Sequence, residues 1–161
     1  AFNSFLKEST EWGMDAMEVA IDGLDCKTAV HICYGYGIEE NLNWKKTLGD
    51  QWRQYEDLFP AINQSKIDQV SLEFAGSRVP PELMRLLPDK EIMVGVISVV
   101  KDHIETAEEV ENNIIQALDH VDAERLIPCT NCGMAPISMD VAKQKLKALG
   151  EGSQRAEKKI S

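Results

Sequence analysis

The chain contains no apolar run near the roughly 20 residues that a bilayer-spanning helix needs. Its longest, Ile92 to Val100, is broken by Ser98. No charged and then apolar leader precedes Trp12, so neither a membrane anchor nor a secretion signal is expected and a cytoplasmic location is the default. Positive charge is also scarce, with 17 Lys and Arg against 27 Asp and Glu and a formal net charge of −10. That balance argues against a nucleic-acid partner, because phosphate binding needs a basic surface that releases counterions. Cysteine is limited to Cys26, Cys33, Cys129 and Cys132 in 161 residues. A chain of this length with 43% apolar residues builds a core without disulfide staples, so clustered cysteines read as metal or redox groups. Cys26 lies outside both clusters and reads as structural.

What is present alternates in a regular way. Residues 4–23 carry Phe5, Leu6, Trp12, Met17, Ala20 and Ile21 at helical spacing and predict an amphipathic helix ending near Gly23. A strand is expected over 28–34, then a Gly-Tyr-Gly turn and a polar stretch through Trp44, and a helix over 47–62 with Trp52, Tyr55, Leu58 and Phe59 on one side. Residues 67–74 read as a second strand, and Pro80-Pro81-Glu82 opens a short helix, where a missing amide donor costs nothing. Residues 91–100 form an apolar run of the kind buried on both faces of a parallel sheet. Thr106-x-x-Glu109 is a capping box for a helix to about Val121, and 125–129 is a fourth strand. Ser138 caps a last helix toward Gly150 that resumes to Ile160, with Lys143, Lys145 and Lys147 exposed. A helix followed by four βα units predicts an α/β fold, a parallel (β/α)8 TIM barrel of which 1–161 supplies about the C-terminal half. The N-terminal half is expected to be absent, and the two open sheet edges then call for that half or for self-association.

In the first strand His31 and Cys33 are two residues apart and leave the same face. Imidazole nitrogen and soft sulfur are a donor pair that zinc favours, with one or two further ligands needed to complete a tetrahedron. The available donors are Cys132 or Cys129 and a carboxylate. Glu73 ends the second strand and the two cysteines follow the fourth, so every candidate falls at the C-terminal rim, where a barrel carries its active site. Cys132 is the favoured cysteine, because Gly133 lets its loop approach closely. A plainer reading makes His31 and Cys33 core residues and Cys129-x-x-Cys132 a knuckle, but a structural knuckle needs a second pair that the chain lacks. A carboxylate among soft ligands is displaceable by an incoming thiol, which suits alkyl transfer to sulfur.

These residues resemble a known family. His31-Ile-Cys33-Tyr34, Ser71-Leu-Glu73 with Ser77-Arg78, Gly95-Val96-Ile97 and Asn131-Cys132-Gly133 occur in the order of the His-x-Cys, Ile-Glu-x-x-Arg-Ser, Gly-Val-x-Asp-x-His and Asn-Pro-Asp-Cys-Gly motifs of the C-terminal catalytic barrel of cobalamin-independent methionine synthase. The resemblance implies Zn²⁺ as cofactor, with His31, Cys33, Glu73 and Cys132 as ligands, homocysteine as thiol acceptor, and a methylated folate or related methyl donor. It also shows departures. Ser98 and Val100 stand where the family has Asp and His, so His103 is the candidate for the acid/base role, against its plainer reading as a surface histidine beside Asp102. Cys-Thr-Asn-Cys replaces Asn-Pro-Asp-Cys, adding Cys129 beside the site. These departures point toward the short single-barrel relatives. Rival readings are a corrinoid-linked or other zinc thiol methyltransferase of the same superfamily, and a non-catalytic zinc or redox-sensing protein in which Cys129 and Cys132 form a reversible disulfide.

Overall fold

The computed structural model describes residues 9–35, 39–99 and 103–160. Strands β1 (Ala29–Ile32), β2 (Gln69–Glu73), β3 (Glu91–Ile97) and β4 (Leu126–Thr130) form one parallel sheet in the order β1-β2-β3-β4. Consecutive parallel neighbours joined through helices are the arrangement of a (β/α)8 barrel, and the sheet supplies four such units. The helices are α1 (Met14–Ile21), entered through a π turn at Ser9–Gly13, then α2 (Glu39–Lys45), α3 (Tyr55–Gln64), α4 (Ala107–Leu118) and α5 (Met139–Ile160), with 3₁₀ turns at Pro81–Leu86 and Ala123–Arg125.

The core lies between the sheet and its helices. Val70, Ile92, Val94, Val96 and Ile97 are fully buried against Phe59 and Ile62 of α3 and against Val110, Ile114 and Ala117 of α4. Along β3 Ile92 and Val94 are fully buried under the helices, while Met93 between them, on the opposite face, is half-buried. The capping box forms: Glu109 N–H donates to Thr106 Oγ1 at 3.1 Å and Thr106 N–H to Glu109 Oε2 at 2.7 Å. Ser138 Oγ accepts from Val141 N–H at 3.3 Å at the start of α5.

Several elements differ from the sequence expectation. The polar stretch before Trp44 contains α2, and the following helix starts at Tyr55 rather than 47, because 46–54 turns through Gly49, whose φ of +73° no helix accommodates. Tyr36 and Gly37 of the expected turn, and Ile38 after it, lie outside the described residues, as do residues 1–8, which include 4–8 of the expected first helix. The apolar face of α1 is only partly covered: Met14 packs against the core and Met17 and Ile21 are half-buried, but the helix buries no residue fully, and Trp12 and Val19 are 62% and 78% exposed. Helix α5 does not break at Gly150. It runs through Gly152, where a Cβ would sit 2.5 Å from Val110 Cβ and 2.8 Å from the Ala107 carbonyl, so the glycine permits close approach of α4. Lys145, expected on the surface, is completely buried; its ammonium meets Glu105 Oε2 at 2.7 Å and also donates to the His103 carbonyl.

Candidate metal centre

Parallel pairing sets the site. His31 is opposite Ser71, Glu73 opposite Gly95, and Gly95 opposite Cys129. After Gly95 the register slips, Ile97 pairing with Thr130, so Val96 is an extra residue on β3. A bulge of this kind bends the strand end, and it lies directly before the segment that carries Cys132. Asn131 locks that segment in place. Its side chain, 1% exposed, reaches across β3 to the end of β2, accepting from Phe74 N–H at 3.0 Å and donating to the Ala75 carbonyl at 2.7 Å, while its own N–H donates to Ile97 O at 2.9 Å. Gly95 makes room for this crossing, since a Cβ there would fall 2.2 Å from Asn131 Oδ1.

One ring nitrogen of His31 and the sulfurs of Cys33 and Cys132 lie within 4.8 Å of one another. They come from the end of β1 and the loop after β4, at the C-terminal rim. Glu73 stands outside that group but beside it. The carboxylate is 3% exposed, its Oε1 accepts from Tyr34 N–H at 2.9 Å, and its charge acts on both His31 and Cys33. Thus three of the four expected ligands converge, and the fourth is an adjacent buried anion. His103 lies apart from them, exposed, with Nε2 3.2 Å and 3.3 Å from the two Glu109 carboxylate oxygens. Val100 and Asp102 lie outside the described residues.

The local electrostatics follow from burial. Burial holds the His31 pKa below its ordinary value, partly offset by the Glu73 charge. Burial pushes the Cys33 thiol up to about 11, reinforced by Cys132 and Glu73 and opposed by the Gly35 N–H that donates to Sγ at 3.4 Å. Neutral imidazole and two clustered sulfurs fit zinc, whose bonds of about 2.0–2.3 Å require only modest side-chain closure around such a group. Behind them Tyr34 anchors the turn. Its ring packs on Trp44, Trp52 and Tyr55 with centroids 4.8–5.6 Å away, and its hydroxyl donates to Gln54 Oε1 at 2.7 Å.

Two positions escape motif reading. Lys45, nearly buried at the end of α2, donates to the Gly35 carbonyl and lies over the Trp52 ring. The buried Lys145–Glu105 pair holds the loop after β3, with Glu105 Oε1 accepting from Ser98 N–H at 2.8 Å. The Lys145 signal is present only as one lysine at an α5 core spacing among flanking exposed lysines. On the side of the Glu73 carboxylate a cavity of about 490 Å³ opens, lined by Glu73, Ser77, Ser98, His103, Glu105 and Asn131 among others.

Residues 6–154 match the family described as cobalamin-independent synthase, catalytic domain. The chain belongs to this family. It is similar to a methionine synthase of Saccharolobus islandicus (strain Y.G.57.14), with 33% identity over 149 residues, 91% of this chain and 40% of that protein. It is also 29% identical over 147 residues to a methionine synthase of Sulfurisphaera tokodaii, covering 91% of this chain and 38% of the relative. The chain therefore spans about two fifths of the length of these curated relatives. Among solved structures, a B12-independent methionine synthase from Shewanella sp. W3-18-1, in complex with selenomethionine, superposes with a TM-score of 0.93 at 53% identity, over 99% of this chain and 47% of that one. A putative vitamin-B12 independent methionine synthase from Listeria monocytogenes shares the fold, with a TM-score of 0.57 at 22% identity over 90% of this chain and 40% of that one. The four βα units of this cobalamin-independent synthase chain are thus part of a (β/α)8 barrel. Among the described residues no helix is long and apolar enough to cross a membrane.

Proposed function

We propose that the chain carries the metal-binding half of a catalytic barrel that transfers a methyl group to the thiol of homocysteine, yielding methionine, with a methylated folate or related molecule as donor. The observation that carries this reading is the convergence of His31, Cys33 and Cys132 at the C-terminal rim, beside buried Glu73, in a chain of this family. Zn²⁺ would be held by His31, Cys33 and Cys132, with Glu73 as the displaceable fourth ligand. The chemistry such an ion supplies is acidification of a thiol, leaving a sulfur nucleophile at neutral pH.

The chain's own residues arrange the rest. The Tyr34 N–H holds Glu73 at the rim, so the carboxylate has one fixed oxygen and a defined approach to the cluster. Lys45 fixes the Gly35 carbonyl and with it the backbone that follows Cys33. Asn131 fixes Cys132 relative to Glu73. The adjoining cavity is within the several-hundred-Å³ range of small-molecule sites. His103, which contacts Glu109 and lines that cavity, would carry a proton to or from a bound donor. β1 and β4 form the edges of the described sheet. We take 1–161 as the C-terminal half of the domain, so an N-terminal half or a second copy would cover those edges.

Zinc content of protein purified without added metal tests the reading. About one zinc per chain is expected, lost in both Cys33→Ser and Cys132→Ser. A metal-free wild type, or a Cys132→Ser variant that keeps stoichiometric zinc, would overturn the assignment.

A further inference from the structure

Lys145 has no part in the scheme above, yet among the described residues it is the most deeply buried ionisable side chain. Its depth follows from the seating of α5. Ala148, Gly152 and Ala156, the other buried residues of that helix, share one face with Lys145, and Gly152 lets this face close on Val110 of α4. The ammonium is thereby carried to the loop between β3 and α4. A buried charge is costly unless it is bonded, and a lysine has three protons to place. One goes to Glu105 Oε2 at 2.7 Å and one to the His103 carbonyl. Glu105, itself buried, accepts the Ser98 N–H on its other oxygen at 2.8 Å.

Ser98 opens the loop and His103 and Glu105 close it, so one carboxylate and one ammonium tie its two ends together. All three of these residues line the cavity of about 490 Å³, whereas Lys145 is not part of its wall. The His103 ring is held separately, against a Glu109 carboxylate that the Thr106 N–H fixes at 2.7 Å. We propose that Lys145, through Glu105 and the His103 carbonyl, is the positioning residue for the β3 side of the cavity and sets where His103 meets a bound molecule.

Stability alone does not call for such a pair. Apolar side chains of similar volume often replace a buried ion pair without loss, but they have no proton to give a carbonyl. What such a replacement removes is the directed bond at His103. The role assigned to Lys145 rests on the reading of this cavity as the place of the methyl donor, and the two are separable by experiment.

Lys145→Met combined with Glu105→Gln keeps the volume and an acceptor for the Ser98 N–H, and removes both charges together with the bond to the His103 carbonyl. In the wild type, hydrogen exchange followed by NMR is expected to show the Ser98 amide protected like those of β3, although it lies beyond the strand. In the double variant, residues 98–105 should exchange about 10–100-fold faster, with β1, β2 and the rest of α5 unchanged and the thermal midpoint close to that of the wild type. Methyl transfer to homocysteine should lose about 10–100-fold in kcat, with little further loss when the double variant is combined with His103→Gln, because both changes act on the same side chain. An unprotected Ser98 amide in the wild type would overturn the proposal, as would exchange at 98–105 that is unchanged or that rises equally throughout the chain. Faster exchange at 98–105 with unchanged kcat and KM would overturn it too. A wild type that transfers no methyl group would remove the donor reading, and the exchange of 98–105 would then decide the positioning by itself.

Discussion

Gly95→Ala is the substitution that most directly probes how the rim is held. Gly95 sits mid-sheet, between Glu73 on one side and Cys129 on the other. An added Cβ would lie 2.2 Å from Asn131 Oδ1, 2.7 Å from Asn131 Cα and 2.8 Å from the Leu72 carbonyl. The first contact is with a side chain that can move, but moving it breaks the bonds to Phe74 N–H and Ala75 O. The other two are with backbone and are relieved only if β3 parts from its neighbours. Overpacking of this kind costs about 1–3 kcal/mol. The two displaced hydrogen bonds add about 0.5–1.5 kcal/mol each, for a total of roughly 2–6 kcal/mol. Urea denaturation should register this as a lower midpoint. Asn131→Ala alone loses the same two bonds without the clash, and in the double variant the 2.2 Å contact is gone, so the two effects should fall short of additive. Because Cys132 follows Asn131, zinc affinity should fall in both single variants. A Gly95→Ala protein within about 0.5 kcal/mol of wild type would refute the argument that this glycine is required by the crossing of Asn131.

Lys145→Ala removes the partner of a buried carboxylate, Glu105, and should destabilise by about 3–5 kcal/mol in urea denaturation, whereas Lys145→Met, which fills the space, combined with Glu105→Gln should recover most of the loss; equal stability of Lys145→Ala and wild type would count against the pair. Asp68 accepts from the Thr28 N–H at 2.7 Å and from its hydroxyl at 3.0 Å, and these donors hold its carboxyl below the usual range. Its contribution is therefore present above the unfolded value of about 3.9 and lost as pH falls through the lower folded value. Asp68→Asn should lower the denaturation midpoint at neutral pH, with the gap from wild type closing in acid; a gap that is constant with pH would contradict this assignment. In sedimentation, the isolated chain should self-associate or bind a complementary half barrel, and a monodisperse, cooperatively folding monomer would remove the case for covering the β1 and β4 edges.

Much of this architecture was legible in one dimension. The β3 run, the capping box at Thr106 and Glu109, and the alternation of strand and helix are local signals whose physics does not depend on the rest of the chain, and they lead to a parallel sheet with its chemistry at one rim. His31-x-Cys33 and Cys132 are legible for the same reason: strand period two places the first pair on one face, and the βα order places the third residue at the same end. What tertiary structure decided was which groups meet through space. Lys145 reads as one more exposed lysine until α5 packs against the loop after β3 and buries it on Glu105. Gly150 reads as a break in the last helix, yet the helix runs on through it, and at Gly152 the close approach of Val110 makes glycine necessary inside the helix. The apolar residues near Trp12 form a face by spacing, yet that face is only partly covered, because amphipathicity specifies only which side can be buried and not what will lie against it. The same holds for the site: residue types and spacing nominate ligands, but the bulge at Val96, the Asn131 crossing and the approach of Ser71 to His31 depend on contacts between strands far apart in the chain, which no local pattern encodes.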